Sequence, residues 1–353
     1  MKDLISTLIS CKKSSHSLRI SSLTVRQNIL RTMITLLNQK RAQLLQENAK
    51  DIDAATDITP ALKDRLLLDD TRIDGIIEGL NSLLALPDTL GTRRPFAEPE
   101  SGIQVYKQRI PLGVILMIYE ARPNVAVDAA ALALLTGNAI LLRGGKEATH
   151  SNRFIGQLWH AALQENSMNE SSVCILTDTG REAMQTLLQR DDLIDLVIPR
   201  GGEGLIRFVA EHSRIPVIRH YKGVCHLYVD KDADLDMAMQ LLVDGKCSRP
   251  GVCNALETLL LHREIVKSFM VKLEAITNEH EVQLYADESS SRFLANAIVI
   301  DEEGYNTEHL SKKLSVKIVD DLASAIDHIA NHGSQHTEVI CTQNSDTAER
   351  FLN

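Results

Sequence analysis

Four segments place reactive, polar or glycine residues where an apolar run ends or begins. The first is Tyr119-Glu120-Ala121-Arg122-Pro123-Asn124, directly after the apolar run Gly113 to Tyr119. Pro123 disfavours helical backbone at Arg122 and holds the turn open. An Asn amide at such a strand end can donate to a developing oxyanion; the alternative is a turn Asn bonding its own backbone. The second is Arg143-Gly144-Gly145-Lys146. Its paired glycines let backbone N–H groups approach an anion at the start of a helix, unless it is simply a solvated basic turn. The third, Pro199-Arg200-Gly201-Gly202-Glu203-Gly204, has the physics of a dinucleotide turn without the G-x-G-x-x-G spacing. A tight turn that packs helix against sheet would use the same glycines. The fourth is Lys246-Cys247-Ser248-Arg249-Pro250-Gly251-Val252-Cys253-Asn254. A turn cysteine near Arg249 and free backbone N–H groups can be held as a thiolate, which makes Cys253 a candidate nucleophile. Cys11, Cys174, Cys225, Cys247 and Cys341 read instead as small core hydrophobes. His226 lies in an apolar strand pattern, whereas His332 and His336 flank Gly333-Ser334-Gln335 as loop residues or as contacts to an anionic ligand. The carboxylates form no recognisable catalytic pair.

Alternating short elements must position these segments. Val25, Ile29, Leu30, Met33, Leu36, Leu37, Leu44 and Leu45 recur at helical spacing between Ser22 and Ala55. Leu62 to Leu86 continues the pattern, Gly91 to Ser101 reads as a connector, and Ile103 to Tyr106 alternates like a half-exposed strand. From Gly113 onward, nearly all-apolar strands (Gly113 to Tyr119, Ala139 to Leu142, Val173 to Leu176, Ile194 to Ile198, Pro216 to Ile218) alternate with helices, one of them Val127 to Thr136. That pattern means parallel strands with right-handed crossovers, a doubly wound sheet whose ligand crevice lies at the carboxyl ends of its strands. A second α/β unit follows, with strands at Cys225 to Val229, Leu256 to Leu261, Ala297 to Ile300, Val316 to Val319 and Val339 to Cys341. The chain stops within an expected helix, Asp346 to Asn353.

Length and composition narrow the function classes. At about 150 residues per domain, 353 residues suggest two domains. Thirty-eight Lys and Arg against 47 Asp and Glu argue against nucleic acid as the partner, and 4% aromatics argue against base stacking. The longest apolar run, Ala129 to Leu135, falls far short of the roughly 18–20 residues that span a bilayer. No signal peptide is expected, and six scattered cysteines without C-x-x-C predict neither a disulfide scaffold nor a metal site. A reducing, cytoplasmic setting is the expectation.

Taken in chain order, the segments resemble one family. PLGVI at 111–115, IYEARPNV at 118–125, GNAILLRGG at 137–145 and IPRGG at 198–202 carry the first half of the likeness. VCHLYVD at 224–230, RPGVCN at 249–254, ETLL at 257–260, VKIV at 316–319 and HGSQH at 332–336 carry the second. Together they are similar to the gamma-glutamyl phosphate reductases (glutamate-5-semialdehyde dehydrogenases) of the aldehyde dehydrogenase superfamily. The resemblance implies an aldehyde dehydrogenase-like fold: two doubly wound α/β domains behind an N-terminal helical segment. Residues 1–222 would form the helices and dinucleotide-binding domain, and 223–353 the catalytic domain.

The implied reaction is NADPH-dependent reduction of L-glutamyl 5-phosphate to L-glutamate 5-semialdehyde with release of phosphate, the second step of proline biosynthesis. Cys253 matches the nucleophile and Asn124 the oxyanion donor. Arg143, Gly144, Gly145, Gly201, Gly202 and Gly204 match loops that face NADP(H), and Glu308 falls near the ribose-binding Glu. Arg122, Arg249, Asn254 and His336 are the implied substrate contacts. Hydrolytic relatives carry a water-activating Glu before the strand matching Cys225 to Val229; here Arg219 to Gly223 contains no carboxylate, which suits exchange with phosphate. The resemblance also implies a homo-oligomer and an association with glutamate 5-kinase, and the family continues beyond the position of Asn353. Two alternatives stay open at this point: another acylating or phosphorylating aldehyde dehydrogenase, and an inactive fragment that only binds nucleotide or a partner.

Overall fold

A computed structural model describes the chain apart from residues 1, 57, 98–100, 178, 179, 220 and 295; at 2, 60 and 61 it describes the backbone alone. The chain divides into two compact units, Met1–Arg219 and His220–Asn353, against an expected boundary after 222.

In the first unit five helices lead: Lys2–Arg19, Leu23–Gln39, Arg41–Ala54, Pro60–Leu66 and Asp70–Leu84. Ser22 opens the second by accepting a hydrogen bond from the Val25 N–H, and its buried stripe is Ile29, Leu30, Met33 and Leu37. The helical run breaks at Lys40, so the periodic stretch is two helices. Arg26 on the same stripe is buried, and its guanidinium is satisfied by Leu135 O and Asp88, both at 2.8 Å.

Strands β1 (Arg93–Ala97) and β2 (Val105–Gln108) pair antiparallel. β1 lies inside the stretch expected to be a connector; all five of its residues are exposed, so no apolar alternation marks it. Strands β3 (Val114–Tyr119), β4 (Ala139–Arg143), β5 (Val173–Ile175) and β6 (Leu196–Arg200) form a parallel sheet in the order β5-β4-β3-β6. The expected strand Pro216 to Ile218 contributes a single bridge, Val197 with Val217. The chain moves outward from β3 through β4 to β5, then returns to the other side of β3. That reversal makes a crevice at the carboxyl ends of β3 and β6.

The second unit carries β7 (Cys225–Val229), β8 (Leu256–His262), β9 (Gln283–Ala286), β10 (Ile298–Val299), β11 (Lys313–Val319) and β12 (Glu338–Cys341). They form a parallel sheet in the order β10-β9-β11-β8-β7-β12. β7 and β8 are buried along their whole length, the polar His226, Glu257, Thr258 and His262 included, as strands covered on both faces are. β9 was not foreseen. No described helix is long and apolar enough to cross a membrane.

Candidate active site

At the switch point of the first unit, Glu120 N–H donates to Arg200 O across the ends of β3 and β6 at 3.3 Å. Pro123 is the first residue of the helix Pro123–Leu135, where its missing N–H and fixed φ are favourable. The helix therefore starts earlier than expected, and Asn124 sits in its first turn rather than on a loop. Its Nδ2 donates to Asp128 Oδ2 at 3.1 Å, one turn on. Burial raises the Asp128 carboxyl above its ordinary range, with the Asn124 hydrogen bond opposing the shift. This contact orients the amide, whose nitrogen carries a second N–H.

The glycine turns surround the same strand ends. A Cβ at Gly144 would lie 2.2 Å from Asn152 Nδ2, which packs beneath Tyr119; the Tyr119 hydroxyl donates to Asn152 Oδ1 at 3.1 Å. A Cβ at Gly201 would lie 2.7 Å from the Glu120 carboxyl carbon. Gly202 precedes the helix Glu203–His212, whose opening N–H groups supply positive potential for an anion. Gly204, in that helix, meets nothing within 4 Å of an added Cβ. Arg143 is buried at the end of β4. Glu120 is a residue the sequence reading passed over. Its place in the quoted motif was visible, but its approach to Gly201 depends on β3 and β6 lying side by side.

The second unit collects its candidates at the amino ends of its strands, opposite to the general rule for open α/β sheets. One turn of π-helix, Asp244–Ser248, leads into the Arg249–Asn254 loop; such turns are frequent at functional sites. Val252 N–H bonds Arg249 O and Ala255 N–H bonds Val252 O, so the loop enters β8 as two successive tight turns. Cys253 is half-buried, with Arg249 and Asn254 exposed beside it. The Cys225 thiol donates to Cys253 O at 3.3 Å. Burial pushes the Cys225 thiol up to about 11, which keeps it protonated as that donor.

Gly223 lies flat against the same peptide: a Cβ there would sit 1.8 Å from Cys253 O. Its N–H donates to Glu308 Oε1 at 2.9 Å. Glu308, expected beside the cofactor, thus brings a carboxylate to the Arg219–Gly223 stretch, which has none of its own; His220 of that stretch lies outside the described residues. Val224 N–H donates to Ser334 Oγ at 2.9 Å, and His336 Nδ1 lies 2.7 Å from Thr337 Oγ1 and 3.9 Å from Cys225 Sγ. His332 faces a carboxylate, Glu302, at 3.3 Å rather than an anion-binding loop.

A buried ion pair holds this cluster. Lys246 Nζ donates to Glu257 Oε2 at 2.9 Å, and neither side chain is exposed. Lys246 also reaches Ser311 O at 3.2 Å, and Glu257 Oε1 accepts from Leu310 N–H at 3.1 Å. The pair therefore joins the turn before Cys253, the strand after it and the loop that carries Glu308. Burial pushes Glu257 up and Lys246 down, and their mutual contact opposes both shifts. Lys246→Met strands a buried carboxylate and is expected to destabilise the fold by about 3–5 kcal/mol, with most of the loss recovered in Lys246→Met/Glu257→Leu. Urea unfolding of the three chains checks this.

Residues 2–291 match the model of the aldehyde dehydrogenase family. The chain belongs to that family. It is 46% identical over 346 residues to the gamma-glutamyl phosphate reductase of Xanthomonas campestris pv. campestris (strain B100), covering 98% of this chain and 84% of the relative. It is 43% identical over 340 residues to that of Shewanella denitrificans, covering 96% and 81%. The crystal structure of gamma-glutamyl phosphate reductase from Thermotoga maritima superposes with a TM-score of 0.92 at 33% identity, covering 99% of this chain and 85% of that one. Within the aldehyde dehydrogenases the chain is thus placed among the gamma-glutamyl phosphate reductases, and its fold is the one that the motifs implied.

Proposed function

We propose that this chain reduces L-glutamyl 5-phosphate to L-glutamate 5-semialdehyde with NADPH, through a thioester on Cys253. What supports the reading is the Cys253 loop: a half-buried cysteine whose own carbonyl is fixed by Cys225 and by the close approach of Gly223, within a chain whose relatives carry that activity in their names.

The Cys253 thiolate attacks the acyl carbon, the carbon–oxygen bond to phosphate breaks, and the departing phosphate takes up a proton. The amide of Asn124 and the Cys253 N–H are the donors assigned to the tetrahedral oxyanion. The nicotinamide dinucleotide fits the switch-point crevice, where Arg143 to Gly145 and Gly201 to Gly204 would hold it; bound there, it supplies the hydride that reduces the thioester. The resulting thiohemiacetal anion re-forms its carbonyl as the C–S bond breaks, releasing the aldehyde and the thiolate. Glu120 beside Gly201 suits a ribose hydroxyl donor better than a phosphate, because its carboxylate accepts hydrogen bonds and repels anions. Arg122, Arg249, Asn254 and His336 are the proposed substrate contacts. A cytoplasmic homo-oligomer that works beside glutamate 5-kinase accords with this reading.

The test runs the reaction backwards. Glutamate semialdehyde and phosphate should reduce NADP, and coenzyme A should not replace phosphate. Reduction with coenzyme A and none with phosphate would make the enzyme an acylating aldehyde dehydrogenase; reduction with neither would favour a binding fragment. In the same assay Asn124→Ala should lower kcat by about 10²–10³-fold. An unchanged kcat removes Asn124 from the mechanism.

A further inference from the structure

In the second unit, away from the Cys253 loop, one carboxylate and two imidazoles converge. Glu302 opens a short 3₁₀ turn, Glu302–Asn306, and His328 and His332 lie one turn apart on the helix Leu322–His332. One ring nitrogen of each histidine and a carboxylate oxygen of Glu302 all lie within 4.8 Å of one another. The sequence shows only an i, i+4 His pair; Glu302 joins it through the fold.

The hydrogen-bond pattern around His332 fixes its tautomer. Asn306 Nδ2 donates to Glu303 Oε2 at 3.0 Å, which sets the orientation of the amide. Asn306 Oδ1 is then the acceptor 3.0 Å from His332 Nδ1, so Nδ1 carries the hydrogen. His332 Nε2 is left pointing its lone pair at Glu302 Oε2, 3.3 Å away. Two acceptors at that distance require a cation between them, a proton or a metal ion.

His328 adds a third donor. It is buried, and its Nε2 has no hydrogen-bond partner among the described residues. A buried imidazole nitrogen without a partner is costly unless something coordinates it. Tyr305 packs edge-on against His328, with ring centroids 4.8 Å apart. Lys317 occupies the other oxygen of Glu302, Oε1, at 2.6 Å. The available set is two imidazole nitrogens and one carboxylate oxygen. That set suits zinc or a similar divalent transition metal and not calcium or magnesium, which demand more oxygen ligands.

We propose that Glu302, His328 and His332 form a binding site for one divalent transition-metal ion of the zinc type, with Asn306 as the hydrogen-bond partner that orients His332. A fourth position remains for water, as in other three-ligand zinc sites.

The test is titration of the chelator-treated 353-residue chain with cobalt chloride, followed by absorption, and with zinc chloride, followed by calorimetry. The expected result is one ion per chain, with visible cobalt bands of low-coordinate geometry and no thiolate-to-cobalt band; that band would mean a cysteine site. Glu302→Gln and His332→Ala should each weaken binding at least tenfold, and Asn306→Ala by about 10–100-fold. Glu302 is 64% exposed, so Glu302→Gln leaves the core untouched. Absence of binding by the unsubstituted chain, a cysteine signature, or unchanged affinity in Glu302→Gln and His332→Ala would each overturn the proposal.

Discussion

Cys253→Ser is expected to abolish phosphate-dependent NADP reduction, lowering kcat on the order of 10⁵–10⁶-fold, the scale on which removal of a covalent nucleophile acts. A serine hydroxyl at this position is a poor nucleophile at neutral pH, because it ionises far less readily than a thiol. Thermal unfolding of the variant should match that of the unsubstituted chain, since the side chain is only half-buried and the contacts that fix the loop run through its backbone. Single-turnover quench of the unsubstituted enzyme with acyl phosphate alone should trap a glutamyl adduct on Cys253 that the variant lacks. Near-normal turnover by Cys253→Ser would end the thioester mechanism.

The second large effect lies outside the chemistry. Gly223→Ala is expected to lower kcat by about 10²-fold or more, since the added methyl group must displace the Cys253 peptide by something near 1 Å. The clash is with backbone: 1.8 Å to the carbonyl oxygen, 2.7 Å to the carbonyl carbon and 3.0 Å to Cα. A flexible side chain could swing aside, but this peptide cannot, because Cys225 and the turn into β8 hold it. The same shift disturbs Glu308, whose carboxylate is bonded to the Gly223 N–H. Gly75→Ala is the matched control. That glycine lies inside the helix Asp70–Leu84 with nothing near its Cβ position, so the substitution should keep full activity and gain up to about 1 kcal/mol of stability. Equal activity in the two variants would show that the Gly223 contact does not set the position of Cys253.

The signals that were legible in the sequence were those with a strong period or a strong breaker. β3 and β4 announced themselves as nearly all-apolar runs, and the turns at Gly144 and Gly201 as paired glycines after strands. Where burial depends on distant partners, the sequence was silent. β1 has five exposed residues and therefore no alternation to find. The first helix, Lys2–Arg19, buries Leu8, Cys11 and Leu18, but Ser, Lys and His between them hide the stripe. In the sequence Lys246 is only the first residue of the segment that carries Cys253. Only the meeting of three segments around Glu257 makes it a core residue. Glu308 was placed by its likeness to a family position, and no local pattern could have shown that its carboxylate would reach the Gly223 N–H. The same holds for Glu302 and the two histidines, which lie on separate elements.

The strand order of the second unit also governs when it can fold. β7 gains one neighbour, β8, soon after it is made. Its other neighbour is β12, which pairs His226 with Glu338, 112 positions later in the chain. Ribosomes adding about 5–20 residues per second leave roughly 6–22 s between the two. Throughout that interval one edge of β7 offers unsatisfied N–H and C=O groups to any passing strand. The sheet of the first unit needs nothing beyond β6 and can close earlier. Newborn chains should therefore carry a finished first unit and an open second one, and the half-made sheet behind the Cys253 loop is the species that chaperones would need to shield.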